Sequence, residues 1–213
     1  MRTRIKFCGF TRVADIDRAV ALGVDAVGLV CVPASRRAVS VEAAVKLRHS
    51  VPAFVSCVVL VLDATTAAVQ EIIDRMHPDL LQFHGRESGA FCRSFGVPYM
   101  KALAVADDLP ARLHEYADAS AVLLDSHTPG ALGGTGQTFD WGHAQGLALR
   151  RWVLAGGLDA DSVGRAIGRL RPYAVDVSSG IEAGTPGVKE SGKMAAFVDA
   201  VRRADADFYA QEP

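Results

Sequence analysis

At 213 residues, half of them hydrophobic and 22% charged, the chain carries enough apolar surface to bury a substantial core. Its 23 Lys and Arg against 24 Asp and Glu give a formal net charge of -1 with no long basic run, so no electrostatic footprint for nucleic acid or an anionic membrane is present and a small-molecule partner is expected. Cys8, Cys31, Cys57 and Cys92 lie far apart with no C-x-x-C pair, which argues against a disulfide framework or a zinc site and for reduced thiols in a cytoplasm.

The first expected strand, RIKFC (4–8), sits in an N-terminal segment too poor in apolar residues for a secretory leader. Helical spacing over 14–23 follows, then a strand AVGLVCV (26–32), a helix over 41–50, a strand FVSCVVLVL (54–62) and a helix over 67–76. The pattern continues with LLQFH (80–84), a helix over 87–96, YMKALAV (99–105), AVLLD (121–125), RWVLAG (151–156), a helix over 162–171, YAVDVS (173–178) and a helix over 192–204. No apolar stretch approaches the roughly 20 residues of a membrane span.

Near-continuous Val, Leu and Ile runs, in place of strict alternation, fit parallel strands covered by helices. Strand and helix alternating through eight strand candidates in a chain of this length predicts one α/β domain over residues 1–213, a closed (β/α)8 TIM barrel. An open doubly wound sheet is the alternative, and the lack of G-x-G-x-x-G after the first strand weighs against it.

In such a barrel the chemistry sits at the C-terminal strand ends and the loops after them. These positions hold Cys8-Gly9, Cys31 to Arg37, Asp63, His84-Gly85, Asp125, Gly156-Gly157 and Ser178-Ser179-Gly180, with nothing evident from the fifth strand. LAGGLDADSV (154–163), with a helix expected to begin near Asp159 or Asp161, and DVSSGIEAG (176–184) have the small residues that let backbone N–H groups approach a phosphate. Tight turns alone would also explain Gly156 and Gly157, but their pairing with Ser179 and Gly180 favours an anion site. A Gly-rich stretch after the sixth strand, GALGGTGQTFDW (130–141), is long enough to carry function.

Cys8 and Asp125 are the reactive candidates. Lys6 and Cys8 share a strand face, so the ammonium is expected to lower the thiol pKa, while burial after AVLL is expected to keep Asp125 protonated. Packing is the competing reading for Cys8 and is preferred for Cys31 and Cys57; a cap or ion pair competes for Asp125. His84 reads equally as a hydrogen-bonded structural histidine, with no second ligand at metal spacing. Arg36-Arg37 is a solvated pair or supplies an arginine that clamps a carboxylate.

Six ordered segments, KFCGFT, SRRAVS, LLQFHGRE, LLDSHTPGALGGTGQTFDW, VLAGGLDADSV and VDVSSGIEAGTPGVKESGKMAAFVDAVR, resemble the phosphoribosylanthranilate isomerase family over essentially the whole chain. That resemblance implies an Amadori rearrangement in tryptophan biosynthesis, with Cys8 as general base and Asp125 as general acid and neither metal nor cofactor. It places Arg37 on the anthranilate carboxylate, with Arg36 where the family often has proline. It assigns Gly156, Gly157, Ser179 and Gly180 to the phosphate, and Gln82, His84, Gly134 and Asp176 to the substrate-binding mouth. The expected partner is the phosphoribosyl-anthranilate substrate, bound by a monomer or homodimer. The chain departs from the pattern after the third strand, where a family segment like V-G-V-F-V-N becomes VVLVLD (58–63), and at Phe83, where leucine is common. A metal-dependent phosphopentose epimerase, a ring-closing synthase using Lys6 as acid, and a non-catalytic phosphate-binding barrel are the competing functions.

Overall fold

Strands this apolar need cover on both faces, and a sheet that closes on itself supplies it from within. The computed structural model describes residues 2–105, 109–125 and 151–210. Eight strands, β1 (Arg4–Cys8), β2 (Ala26–Val30), β3 (Ser56–Val61), β4 (Leu80–Phe83), β5 (Tyr99–Ala104), β6 (Ala121–Asp125), β7 (Trp152–Leu154) and β8 (Ala174–Val177), pair in parallel in chain order, and β8 closes onto β1. The chain is therefore a (β/α)8 TIM barrel, as expected. The described helices are α1 (Val13–Ala21), α2 (Val41–Arg48), α3 (Thr66–Met76), α4 (Gly89–Arg93), α5 (Leu109–Glu115), α6 (Val163–Leu170) and α7 (Ser191–Tyr209). None is long and apolar enough to cross a membrane.

Alternation along each strand sorts its side chains between two cores. Ile5 and Phe7 of β1 point outward into the large cluster beneath the helices, where Phe7 meets Phe197 of α7 edge-on with ring centroids 5.8 Å apart. The barrel interior is filled by Val58, Met100, Leu123 and Val153 among alanines 102, 155 and 174, a mix of large and small residues that interdigitates. A third cluster, Cys8, Val30 and Val32 with Leu60 and Leu62 packed against it, caps the interior at the mouth.

Local chemistry explains the helix limits that the sequence pattern missed. α4 occupies only Gly89–Arg93 of the expected 87–96, because the Ser88 side chain accepts the Phe91 N–H as an N-cap and Gly96 turns left-handed at φ 66°. α5 was not anticipated. Its segment LPARLHE carries a proline that reads as a breaker, yet proline is tolerated in a helix's first turn. α6 (Val163–Leu170) falls within the expected 162–171 and starts four residues after Asp159, whose Oδ1 first accepts the N–H groups of Asp161 (3.1 Å) and Ser162 (2.8 Å) in a turn of its own.

Candidate active site

Period-two alternation brings Lys6 and Cys8, Gln82 and His84, Asp125, and Asp176 and Ser178 to the inside of the barrel at its C-terminal end. All of these except Lys6 line one cleft, together with Arg37, Gly156, Gly157 and Ser179. One wall of that cleft is apolar, built from Val30, Val32, Leu60 and Leu62, and is chemically suited to an aromatic ring.

Cys8 is 4% exposed, in direct register with Gly28 of β2. A Cβ at Gly28 would lie 2.7 Å from Cys8 Sγ, so the strand glycine makes room for the thiol. The sequence expectation for the thiol's acidity needs correcting. Burial dominates and pushes the Cys8 pKa above the ordinary thiol value; Lys6 opposes this, and Asp176 adds to it. Lys6 is not Cys8's alone: its Nζ lies 2.8 Å from Asp176 Oδ1, in a pair whose side chains are 6% and 10% exposed. Burial works against the ammonium, but the attraction of Asp176, with a smaller contribution from Cys8, outweighs it and raises the Lys6 pKa.

Across the mouth, His84 Nδ1 lies 3.2 Å from the Gln82 side-chain amide nitrogen and Nε2 lies 3.7 Å from Asp125 Oδ2. Burial lowers the His84 pKa despite the neighbouring Asp125 and Asp176 carboxylates, so the ring is neutral at physiological pH. Asp125 itself is buried at the end of β6.

Of the two arginines in loop 2, Arg36 is exposed and Arg37 is buried. The Arg37 guanidinium is held by Glu182, through Nε to Oε1 and Nη2 to Oε2, both at 2.7 Å. Gly9, at φ 79°, makes room for this side chain, since a Cβ on it would lie 2.6 Å from Arg37 Cδ. Loops 7 and 8 touch backbone to backbone: Gly156 and Gly157 are left-handed (φ 91° and 62°), and a Cβ at Gly180 would lie 2.0 Å from the Leu158 carbonyl oxygen. Ser179 and Gly180 form a short 3-10 turn, Ser179–Ile181, beside these glycines. Gly134 and the 130–141 stretch lie outside the described residues.

Sequence reasoning missed Gly28, Glu182 and Lys189. A glycine inside a strand signals close approach, so Gly28 was readable. Glu182 and Lys189 carried no local signal, because the Arg37 to Glu182 contact spans 145 residues. Among the described residues no group of three or more His, Cys, Asp or Glu side chains could hold a metal ion.

A profile of the N-(5′-phosphoribosyl)anthranilate (PRA) isomerase family matches residues 5–200. The chain belongs to that family. An N-(5′-phosphoribosyl)anthranilate isomerase of Nitrosococcus oceani is 45% identical over 203 residues, covering 94% of this chain and 98% of the relative. The solved phosphoribosyl anthranilate isomerase of Thermotoga maritima superposes with a TM-score of 0.86 at 33% identity, covering 94% of this chain and 99% of that one. A second solved phosphoribosyl anthranilate isomerase, in complex with reduced 1-(o-carboxyphenylamino)-1-deoxyribulose 5-phosphate, gives a TM-score of 0.81 at 32% identity with the same coverage. The chain is thus an isomerase enzyme.

Within the isomerase frame, the departures at Val59 and Val61 lie within β3, on its outer face. Val59 and Val61 are fully buried beneath the helices, while Leu60 and Leu62 keep the cleft wall. Asp63 adopts φ 46°, a left-handed conformation that Asn and Asp tolerate better than most residues, and its Oδ1 accepts the Arg86 N–H at 2.6 Å. Phe83 also points outward, where Phe91, Phe95 and Tyr99 surround it with ring centroids 6.0, 6.1 and 6.0 Å away.

Proposed function

We propose that this barrel performs the Amadori rearrangement of N-(5′-phosphoribosyl)anthranilate to 1-(2-carboxyphenylamino)-1-deoxyribulose 5-phosphate, the isomerisation step of tryptophan biosynthesis, with Asp125 as general acid and Cys8 as general base. Asp125 gives its proton to the ribose ring oxygen, the C1′–O bond breaks, and the anthranilate nitrogen lone pair forms the protonated Schiff base. The Cys8 thiolate then takes the C2′ proton; the C2′–H electrons move toward the iminium and give an enolamine, which tautomerises to the ketone. The iminium is the electron sink, so the step calls for no cofactor.

The observation that carries this reading is the convergence of an inward Cys8 and an inward Asp125 in one cleft that also holds Arg37, an apolar wall, Gly156 and Gly157 of loop 7 and Ser179 of loop 8. Arg37 takes the anthranilate carboxylate, the wall of Val30, Val32, Leu60 and Leu62 takes the ring, and Gly156, Gly157, Ser179 and Gly180 take the phosphate at the opposite end. Gln82 and the neutral His84 brace the Asp125 side of the mouth. Asp176 governs Lys6, which in turn steadies the thiolate against its desolvation. A raised thiol pKa leaves a small thiolate fraction at neutral pH, and because thiolate and protonated acid must coexist, the kcat/KM against pH profile is expected to show two ionisations.

Growth of a tryptophan auxotroph lacking this isomerase, rescued by the wild-type chain and not by Cys8→Ala or Asp125→Ala, is the expected result. A well-expressed, folded wild-type protein that fails to rescue would contradict the assignment. The ring-closing synthase reading requires a lysine free to act as acid, whereas Lys6 is paired with Asp176; carbon dioxide release during turnover would favour it nonetheless.

A further inference from the structure

Arg37 stands on a loop, where no strand register fixes its side chain, and a long flexible cation needs partners to hold one orientation. Glu182 supplies them. It is 6% exposed, follows directly on the Ser179–Ile181 turn of loop 8, and binds the Arg37 Nε and Nη2 edge side-on. A guanidinium gripped on that edge still has the N–H groups of its Nη1 and Nη2 end, a second fork that fits a carboxylate.

Glu182 is in turn fixed from three directions. Its Oε1 accepts the Gly187 N–H at 2.8 Å and the Lys189 ammonium at 3.0 Å, and its backbone carbonyl accepts Lys193 Nζ at 2.9 Å. Lys189 also reaches the Ser178 carbonyl at 3.0 Å, and the Ser178 hydroxyl donates to the Cys8 carbonyl at 3.0 Å. One carboxylate thus connects the loop bearing Arg37, the loop proposed for phosphate and the end of β1. Burial would raise the Glu182 pKa, but the hydrogen bond from Arg37, with Lys189 and the Gly187 N–H, outweighs it and keeps the group ionised. Arg37 itself lines the cleft, so the N–H groups that Glu182 leaves unclaimed are available to an anionic substrate group.

We infer that Glu182 is a positioning residue for the aromatic carboxylate: it holds the Arg37 guanidinium with its free fork toward the cleft and locks it to loop 8. This rests on the reading of Arg37 proposed above. Glu182 touches no substrate in this account and acts only through the arginine.

Calorimetric titration of the full chain with two ligands tests it: the reduced product analogue, and the same compound with an unsubstituted phenyl ring. Glu182→Gln is expected to weaken the carboxylated analogue by roughly 10- to 100-fold through misplacement of Arg37. The phenyl compound should keep its affinity within about twofold, and Glu182→Gln in an Arg37→Ala background should add no further loss beyond that margin. Equal weakening of both compounds, or an undiminished loss in the Arg37→Ala background, would assign Glu182 a purely structural role and overturn the inference. If Arg37→Ala alone fails to discriminate between the two compounds, the reading of Arg37 falls, and the inference with it. Should Glu182→Gln not fold, Glu182→Asp keeps the charge but withdraws it by one methylene, and the same pattern of affinities is expected from it.

Discussion

Lys6 and Lys101 invite comparison. Each sits on a strand, each is buried, and each has its ammonium on a carboxylate, Lys6 on Asp176 at 2.8 Å and Lys101 on Glu87 at 2.7 Å. They differ in parity. Lys6 points into the barrel beside Cys8, where its charge acts on a reactive group. Lys101 points outward, where Glu87 also accepts the N–H groups of Asp63 and Gly85 and the ammonium also donates to the Gly85 carbonyl, at 2.6 Å. The outer pair is a closed network that braces the loops after β3 and β4. The same chemical pair therefore supports a scaffold on one face of the sheet and tunes a thiol on the other.

Breaking each pair separates the two roles most strongly. Lys6→Met and Lys101→Met each strand a buried carboxylate and should each cost about 3–5 kcal/mol in stability, measured by denaturant unfolding. Turnover per folded molecule should divide them: Lys101→Met keeps it, while Lys6→Met lowers it by about tenfold or more because the thiolate loses its neighbouring cation. Equal retention of turnover would dissolve the distinction. Gly28→Ala sharpens the inner side of the comparison, since its methyl group meets the thiol. Overpacking of about 1–3 kcal/mol and a loss of kcat are expected, and wild-type kinetics with unchanged stability would remove the claim that Gly28 seats Cys8.

Asp176→Asn has the subtlest expected effect. Asp176 raises the thiol pKa by its own charge and by competing for Lys6, so removing the charge lowers that pKa. The ionisation that belongs to the thiol in the kcat/KM against pH profile should then move to lower pH than in wild type. An ionisation that stays in place while KM rises would make Asp176 a substrate ligand and no more.

Much of the barrel was legible because parallel strands with two covered faces announce themselves in composition, and period two then names the inward residues Cys8, Gln82, His84, Asp125 and Asp176. What stayed hidden depends on contacts between residues distant in sequence. Lys6 was expected to acidify Cys8, but its ammonium is claimed by a carboxylate 170 residues away, and burial wins. No described residue of β5 lines the cleft, yet its Lys101 anchors a loop. Nor could loop 8 reveal that Glu182 closes on Arg37, since neither residue lies in a regular strand whose register could be read.

The inward Cys8 is the proposed base, and turnover of Cys8 variants tests that role most directly. Followed by the loss of phosphoribosylanthranilate fluorescence, Cys8→Ala is expected to cut kcat by roughly 10²- to 10⁴-fold. Cys8→Asp, which restores a proton acceptor at that position, should recover part of the rate. Near-wild-type kcat in a folded Cys8→Ala protein would contradict the claim.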